Sequence, residues 1–325
     1  MKIINSEIKV FESLAKWATR LVVLLVVTGG TVRLTESGLG CKDWPNCTTH
    51  SFTAPLKFHP LVEDINRFVV FLVTIFLVSL FVYSYRTRRK DLKFLSFLLV
   101  MGVFLQAIVG AIVVYSHLFP PFVMIHFLLS IAMVANGVIL HHRAKYGSGR
   151  RFDEIGNKLP KGKLPREKDL SKRDLNERNW ILGILFLTLM TVTLGTFATA
   201  SGPHAGATNA KRLPLPFWLA TSIHAISAVL LICAIVFFLF KSKQKDGNIL
   251  TVRWTEFLLE AVGLQATIGI VQFELHVPSL LVGFHLFGAC VVSSIAVKLL
   301  LMFREEKFCE FKDETIEESV ERVDC

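Results

Sequence analysis

The apolar residues of this chain come in blocks, and each block is about as long as a bilayer is thick. The blocks centre on residues 17–35, 63–85, 94–115, 122–141, 180–200, 218–240, 255–273 and 279–303. A helix needs about 20 apolar residues to cross the hydrocarbon core. In lipid a spanning backbone must satisfy its own hydrogen bonds, so each block reads as a transmembrane helix. Composition agrees: 52% of the 325 residues are hydrophobic and mean hydropathy is +0.52. The expected fold is all-α and integral to the membrane, with eight spans and both termini on one side. The first block is too long for the apolar region of a signal peptide and no small-residue cleavage site follows it, so it is expected to remain as a helix.

The formal net charge is +10, and its placement decides what it means. Five Lys and Arg fall in 86–93, twelve in 141–179, four in 241–254 and five from Lys298 onward. None falls in 116–121, two in 201–217 and none in 274–278. Basic residues stay on the cytoplasmic side of a membrane. Both termini are therefore expected in the cytoplasm of a multi-pass cell-membrane protein, with 37–62, 116–121, 201–217 and 274–278 facing outward. A nucleic-acid surface would be one contiguous basic patch; this spacing is a topology signal and argues against nucleic acid as a partner.

The chain repeats itself. Val27-Thr28-Gly29-Gly30-Thr31-Val32 is echoed by Val192-Thr193-Leu194-Gly195-Thr196-Phe197. Gln106-Ala107-Ile108-Val109-Gly110 is echoed by Gln265-Ala266-Thr267-Ile268-Gly269, and in both halves a histidine follows the glutamine by twenty residues, at His126 and His285. Each half holds four blocks, so the two enter the membrane in the same direction and are expected to be related by an axis along the membrane normal. The reading is an N-terminal four-helix half (1–142), a cytoplasmic linker (143–179), a C-terminal four-helix half (180–304) and a cytoplasmic tail (305–325). The linker is polar, basic and bears Pro and Gly, and is expected to be partly disordered.

Ionisable residues inside a bilayer are costly and point to function. His126, His224 and His285 each sit in an apolar block, and Asn66 takes the place in helix two that His224 takes in helix six. A single such histidine can simply bond a neighbouring helix. Matched histidines in both halves point further, because two imidazoles from different helices of a bundle can fill both axial positions of a haem iron. His224 and His285 form such a pair. Zinc fits less well, since no carboxylate or thiolate of suitable spacing joins them. In the first half Asn66 is a poor iron ligand, so a haem there would hang on His126 with its other face open to chemistry. Glu63 lies three residues before Asn66 on the same helix face, near the outer end. It either serves that site or is an interfacial carboxylate paired with Arg67. Arg33 and Arg67 are placed to meet haem propionates, or to snorkel from helix ends.

Other histidines read as solvated: His50, His59, His117, His204 and His276 in outer loops, and His141 and His142 at a cytoplasmic helix end. The first outer loop, Gly38-Leu39-Gly40-Cys41-Lys42-Asp43-Trp44-Pro45-Asn46-Cys47, marks a tight turn. Cys41 and Cys47 face an oxidising compartment, where a disulfide can form; it would pin the loop or act as a redox pair. Cys233 and Cys290 read as packing residues, and Cys309 and Cys325 as reduced residues of the tail.

At these residues the chain resembles the haem A synthase family, the membrane enzymes that convert haem O to haem A for terminal oxidases. The likeness lies in Thr28 to Cys47, Glu63 to Arg67, Gly202-Pro203-His204-Ala205-Gly206, and Val282-Gly283-Phe284-His285 with the Gln265 segment. It runs through both halves, and the third-loop segment is similar to the actinobacterial style of the family. The resemblance implies two four-helix bundles related by a pseudo-twofold. It implies a resident haem b cofactor on His224 and His285, and substrate haem O in the half that carries His126, Asn66 and Arg67. Glu63 would serve the oxidation by stabilising a cationic intermediate or activating water, and the family's cysteine pair falls on Cys41 and Cys47. The reaction implied is stepwise oxidation of the porphyrin C8 methyl to a formyl group, with electrons leaving by the haem at His224 and His285. Partners implied are membrane lipid, haem O synthase and oxidase assembly factors, with a homo-oligomer left open. Many members carry histidine where this chain has Asn66. The alternatives are a di-haem b electron-transfer protein, which should want four histidines, and a secondary transporter, which should show broken helices at the midplane.

Overall fold

The computed structural model describes residues 2–41, 44, 46–48, 53–147, 172–244 and 249–317. These form eight α-helices: α1 (Lys2–Leu34), α2 (Phe58–Ser84), α3 (Lys90–Tyr115), α4 (Pro120–Tyr146), α5 (Lys172–Ser201), α6 (Phe217–Lys243), α7 (Ile249–Glu274) and α8 (Ser279–Glu317). A 3-10 turn, Tyr85–Thr87, follows α2, and there is no strand among the described residues. Each expected apolar block falls on one helix, 17–35 and 63–85 overrunning it by a single residue. Seven helices, α2 to α8, are long and apolar enough to cross a membrane. The exception is α1, whose length carries Glu7, Lys9, Glu12, Lys16 and Arg20. Helices α3 and α7 have 26 residues each, which at 1.5 Å per residue is roughly 40 Å of rise and more than the hydrocarbon core requires.

Local chemistry sets the ends. Proline opens α4 at Pro120, where its missing N–H costs nothing. Arg143 and Lys145 close α4, and Lys241 and Lys243 close α6, next to the carbonyl ends they favour. Helix α4 runs on to Tyr146 and α5 starts at Lys172, so both enter the span read as linker; 148–171 lie outside the described residues, as do His50, Cys325 and the side chain of Cys309.

Packing forms two closed rings. Helices α1, α2, α3 and α4 pack in sequence with α4 returning to α1; α5, α6, α7 and α8 do the same. The rings meet through α4 on α8, α1 on α8 and α4 on α5. Exchanging the halves leaves this set of contacts unchanged.

Each ring has its own core. In the first, Phe11, Ala15, Ala18, Val22 and Val26 form one stripe of α1 against Leu77, Leu99 and Val134. In the second, Leu231, Ile235 and Phe238 of α6 meet Ile184, Leu258 and Val292. Both clusters occupy one end of the bundle, past residue 72 in α2, 130 in α4, 230 in α6 and 291 in α8. The single α8 member of the first cluster is Cys290. The matched histidines lie earlier in those helices, towards the other end. Large apolar side chains such as Phe68, Phe71, Phe186, Leu230 and Phe237 are exposed around the perimeter, as expected where lipid is the solvent.

Candidate haem-binding site

In the second ring, His224 of α6 and His285 of α8 face each other with ring centroids 6.1 Å apart and planes at 83°. His224 Nδ1 lies 3.0 Å from the Thr191 main-chain oxygen. A carbonyl only accepts, so Nδ1 carries the proton and Nε2 keeps its lone pair. That is the arrangement found behind metal-binding imidazoles. Imidazole nitrogens bind transition metals at about 2.0–2.1 Å. Two such bonds, with the offset of each nitrogen from its ring centre, fill the gap between the rings. The residues present therefore fit an iron held between two histidines.

In the first ring, His126 of α4 projects towards Gly110 of α3, where an added Cβ would lie 3.5 Å from its Cε1. Its Nδ1 is buried without a hydrogen-bond partner, and so is Asn66 Oδ1. Gln106 Nε2 donates to the His126 main-chain oxygen at 3.1 Å, and Gln265 Nε2 donates to the His285 oxygen at 2.8 Å. The twenty-residue spacing seen in both halves is thus the same hydrogen bond made twice.

At the outer end, the first loop folds onto the start of α2. Cys41 and Cys47 form a disulfide. Glu63 is 5% exposed. Its Oε2 accepts the Cys41 N–H at 2.8 Å, and its Oε1 pairs with Arg67 Nη2 one turn on. Arg67 Nη1 donates to Asn46 O at 3.0 Å, and Tyr115 OH donates to Trp44 O at 2.8 Å. A side chain at Gly40 would place its Cβ 2.5 Å from the His59 carbonyl oxygen, so only glycine allows the loop this close. Glu63, Arg67, Cys41 and Cys47 are brought together, whereas no direct hydrogen bond joins the His126 ring to Glu63, Asn66 or Arg67.

Arg33 donates to His204 O at 2.7 Å and Thr199 O at 3.0 Å, tying α1 to the third outer loop. Arg67 likewise spends donors on Glu63 and Asn46. His59 sits in the first turn of α2, with Nδ1 3.1 Å from Ser37 Oγ. His204 Nε2 donates to Val277 O at 2.7 Å. His142 is 1% exposed and 2.8 Å from Lys298 Nζ, in the seam between α4 and α8. The glycines beside the histidines and the Thr191 carbonyl were not singled out for a role in the sequence, since a main-chain carbonyl has no residue signature.

Fold and site define a helical membrane protein with histidines converging inside its second bundle. Comparison makes this specific. The COX15-CtaA family, described as cytochrome oxidase assembly protein, matches residues 14–59 and 54–214, more than half of the chain. The chain belongs to this family. It is similar to heme A synthase of Exiguobacterium sibiricum, 28% identical over 209 residues, covering 63% of this chain and 62% of that protein. It is similar to heme A synthase of Lysinibacillus sphaericus, 30% identical over 155 residues (44% and 50%), and to that of Bacillus licheniformis, 32% identical over 108 residues (32% and 35%). The match thus spans about three fifths or less of the length of these relatives.

Proposed function

We propose that the protein is a haem A synthase, oxidising the C8 methyl of haem O to a formyl group for terminal oxidases. The observation that carries the reading is the His224–His285 pair, its rings 6.1 Å apart and one imidazole already held in the tautomer that frees Nε2. These two histidines would hold a resident haem b, which supplies one-electron redox chemistry when bound. Family membership and the relatives named heme A synthase support the activity.

Substrate haem O would be held in the first ring by His126, with Asn66 on the opposite helix as the weaker of the two polar side chains available to it. Its lipophilic tail suits entry sideways between helices. Glu63 is the catalytic carboxylate, fixed by the Cys41 amide and by Arg67, so negative charge is kept at one place under the first outer loop. There it can stabilise positive charge developing on the substrate or accept a proton from water. Arg67 positions it, and the disulfide holds the loop that supplies the Cys41 N–H.

The same reading takes α1 as the eighth span, with residues 1–142 and 180–304 as pseudo-twofold-related halves joined by a cytoplasmic linker, and both termini in the cytoplasm. The matched Gln–His hydrogen bonds and the exchangeable ring contacts support it, and so does the charge pattern of the loops. Helices α1 to α8 run without interruption in the described residues, which favours the enzyme over a transporter with broken helices.

The test is conversion in cells that make haem O, with extracted haems separated by chromatography. The parent chain should yield haem A. Glu63→Ala should accumulate haem O or a hydroxylated product. Unchanged haem A from Glu63→Ala would remove the carboxylate from the reaction, and no haem A from the parent would remove the activity.

A further inference from the structure

Each of the three histidines stands against a glycine of a neighbouring helix. A Cβ added at Gly195 of α5 would lie 3.0 Å from His224 Cε1 and 3.4 Å from its Nδ1. At Gly269 of α7 it would lie 3.4 Å from His285 Cε1, and at Gly110 of α3 3.5 Å from His126 Cε1. Residues four apart stack along one helix face. One turn before these glycines come Thr191, Gln265 and Gln106. A helical carbonyl has a second lone pair beyond its ladder bond, and a glycine one turn later leaves that lone pair uncovered to an approaching ring. At His224 the contact is made, Nδ1 to Thr191 O at 3.0 Å. The Nδ1 atoms of His285 and His126 are buried without partners. The Gln265 and Gln106 carboxamides bind the same helix pairs together at the same level.

We infer that Gly195 and Gly269 are positioning residues for the haem ligands. Gly195 seats His224 flush against α5, so that its Nδ1–H is held to the Thr191 carbonyl and Nε2 is presented to iron, and Gly269 leaves His285 the same approach to the carbonyl one turn earlier. Gly110 leaves room beside the His126 ring in the other half in the same way. The inference rests on the haem reading of His224 and His285. A hydrogen bond from Nδ1–H makes the imidazole a stronger donor to the metal and fixes the plane of its ring. Losing the seat weakens the ligand without removing it.

The experiment uses the purified full chain carrying haem, read by low-spin electron paramagnetic resonance and redox titration. Gly195→Ala, whose new methyl meets the ring at 3.0 Å, should change the g values and shift the midpoint potential upward. Gly269→Ala should do so less, since 3.4 Å is an ordinary contact. Gly183→Ala and Gly263→Ala, where an added Cβ meets nothing within 4 Å, should leave both unchanged. If Gly195→Ala does not accumulate as folded protein, Gly269→Val, whose added methyls crowd the His285 ring, carries the test. Parent-like g values and potential in whichever of the two folds would overturn the seat while leaving the haem reading intact. A parent chain without haem would instead overturn the reading on which the seat depends.

Discussion

Removing the Glu63 carboxylate should release the first outer loop. The Glu63 side chain is 7% exposed and its Arg67 partner 19%. Glu63→Ala takes the carboxylate from the Arg67 guanidinium, which keeps Asn46 O among its acceptors, and it leaves the Cys41 N–H without its acceptor. Breaking a buried pair from one side costs about 3–5 kcal/mol. The residual exposure of Arg67 and its remaining bond favour the lower end, about 3 kcal/mol, which is on the order of a hundredfold in an equilibrium constant. The opening can be read locally, as the rate at which Cys41 and Cys47 are reduced and alkylated under mild reductant. Glu63→Ala should raise that rate on the order of a hundredfold. Glu63→Gln should fall between it and the parent, since an amide oxygen still accepts from Cys41 but no longer balances Arg67. Reduction of Glu63→Ala within about twofold of the parent would mean that something other than this clasp holds the loop.

Other consequences follow from single contacts. Gly40→Ala puts a methyl 2.5 Å from the His59 carbonyl oxygen; a main-chain shift to relieve it should cost about 1–3 kcal/mol and lower the unfolding temperature in detergent. Arg33→Met takes the side-chain donor from His204 O and from Thr199 O, which keeps only the Gly202 N–H, so amide exchange over 199–206 should speed up while exchange in α7 stays as it was. Lys298→Met removes the donor to buried His142, and should lower thermal stability by about 1–3 kcal/mol with haem content unchanged.

The sequence carried the repeat well because apolar periodicity and equal spacing are one-dimensional signals. Eight blocks became eight helices, and the twenty-residue interval from Gln106 to His126 and from Gln265 to His285 became one hydrogen bond made in each half. Long-range polar partners were harder to read. Nothing in the sequence announces that Arg33 bonds main-chain oxygens 166 and 171 residues away. The apolar block starts later than the helix, which places His59 in a loop on sequence alone, whereas α2 gains its first turn from Phe58-His59-Pro60. A histidine at a helix end reads as solvated, but the approach of α8 buries His142. The Glu63 clasp combines a nearby arginine, legible at i+4, with a loop amide that no residue type announces.

The most direct test is the haem content of the parent chain purified from cells that make haem O, by reduced-minus-oxidised spectra and chromatography of the extract. Haem b together with haem O or haem A is expected, with the haem b signal lost in His224→Ala and in His285→Ala. Haem b in both halves regardless of haem O supply would make the chain an electron-transfer protein, and a chain without haem would contradict the assignment of the paired histidines.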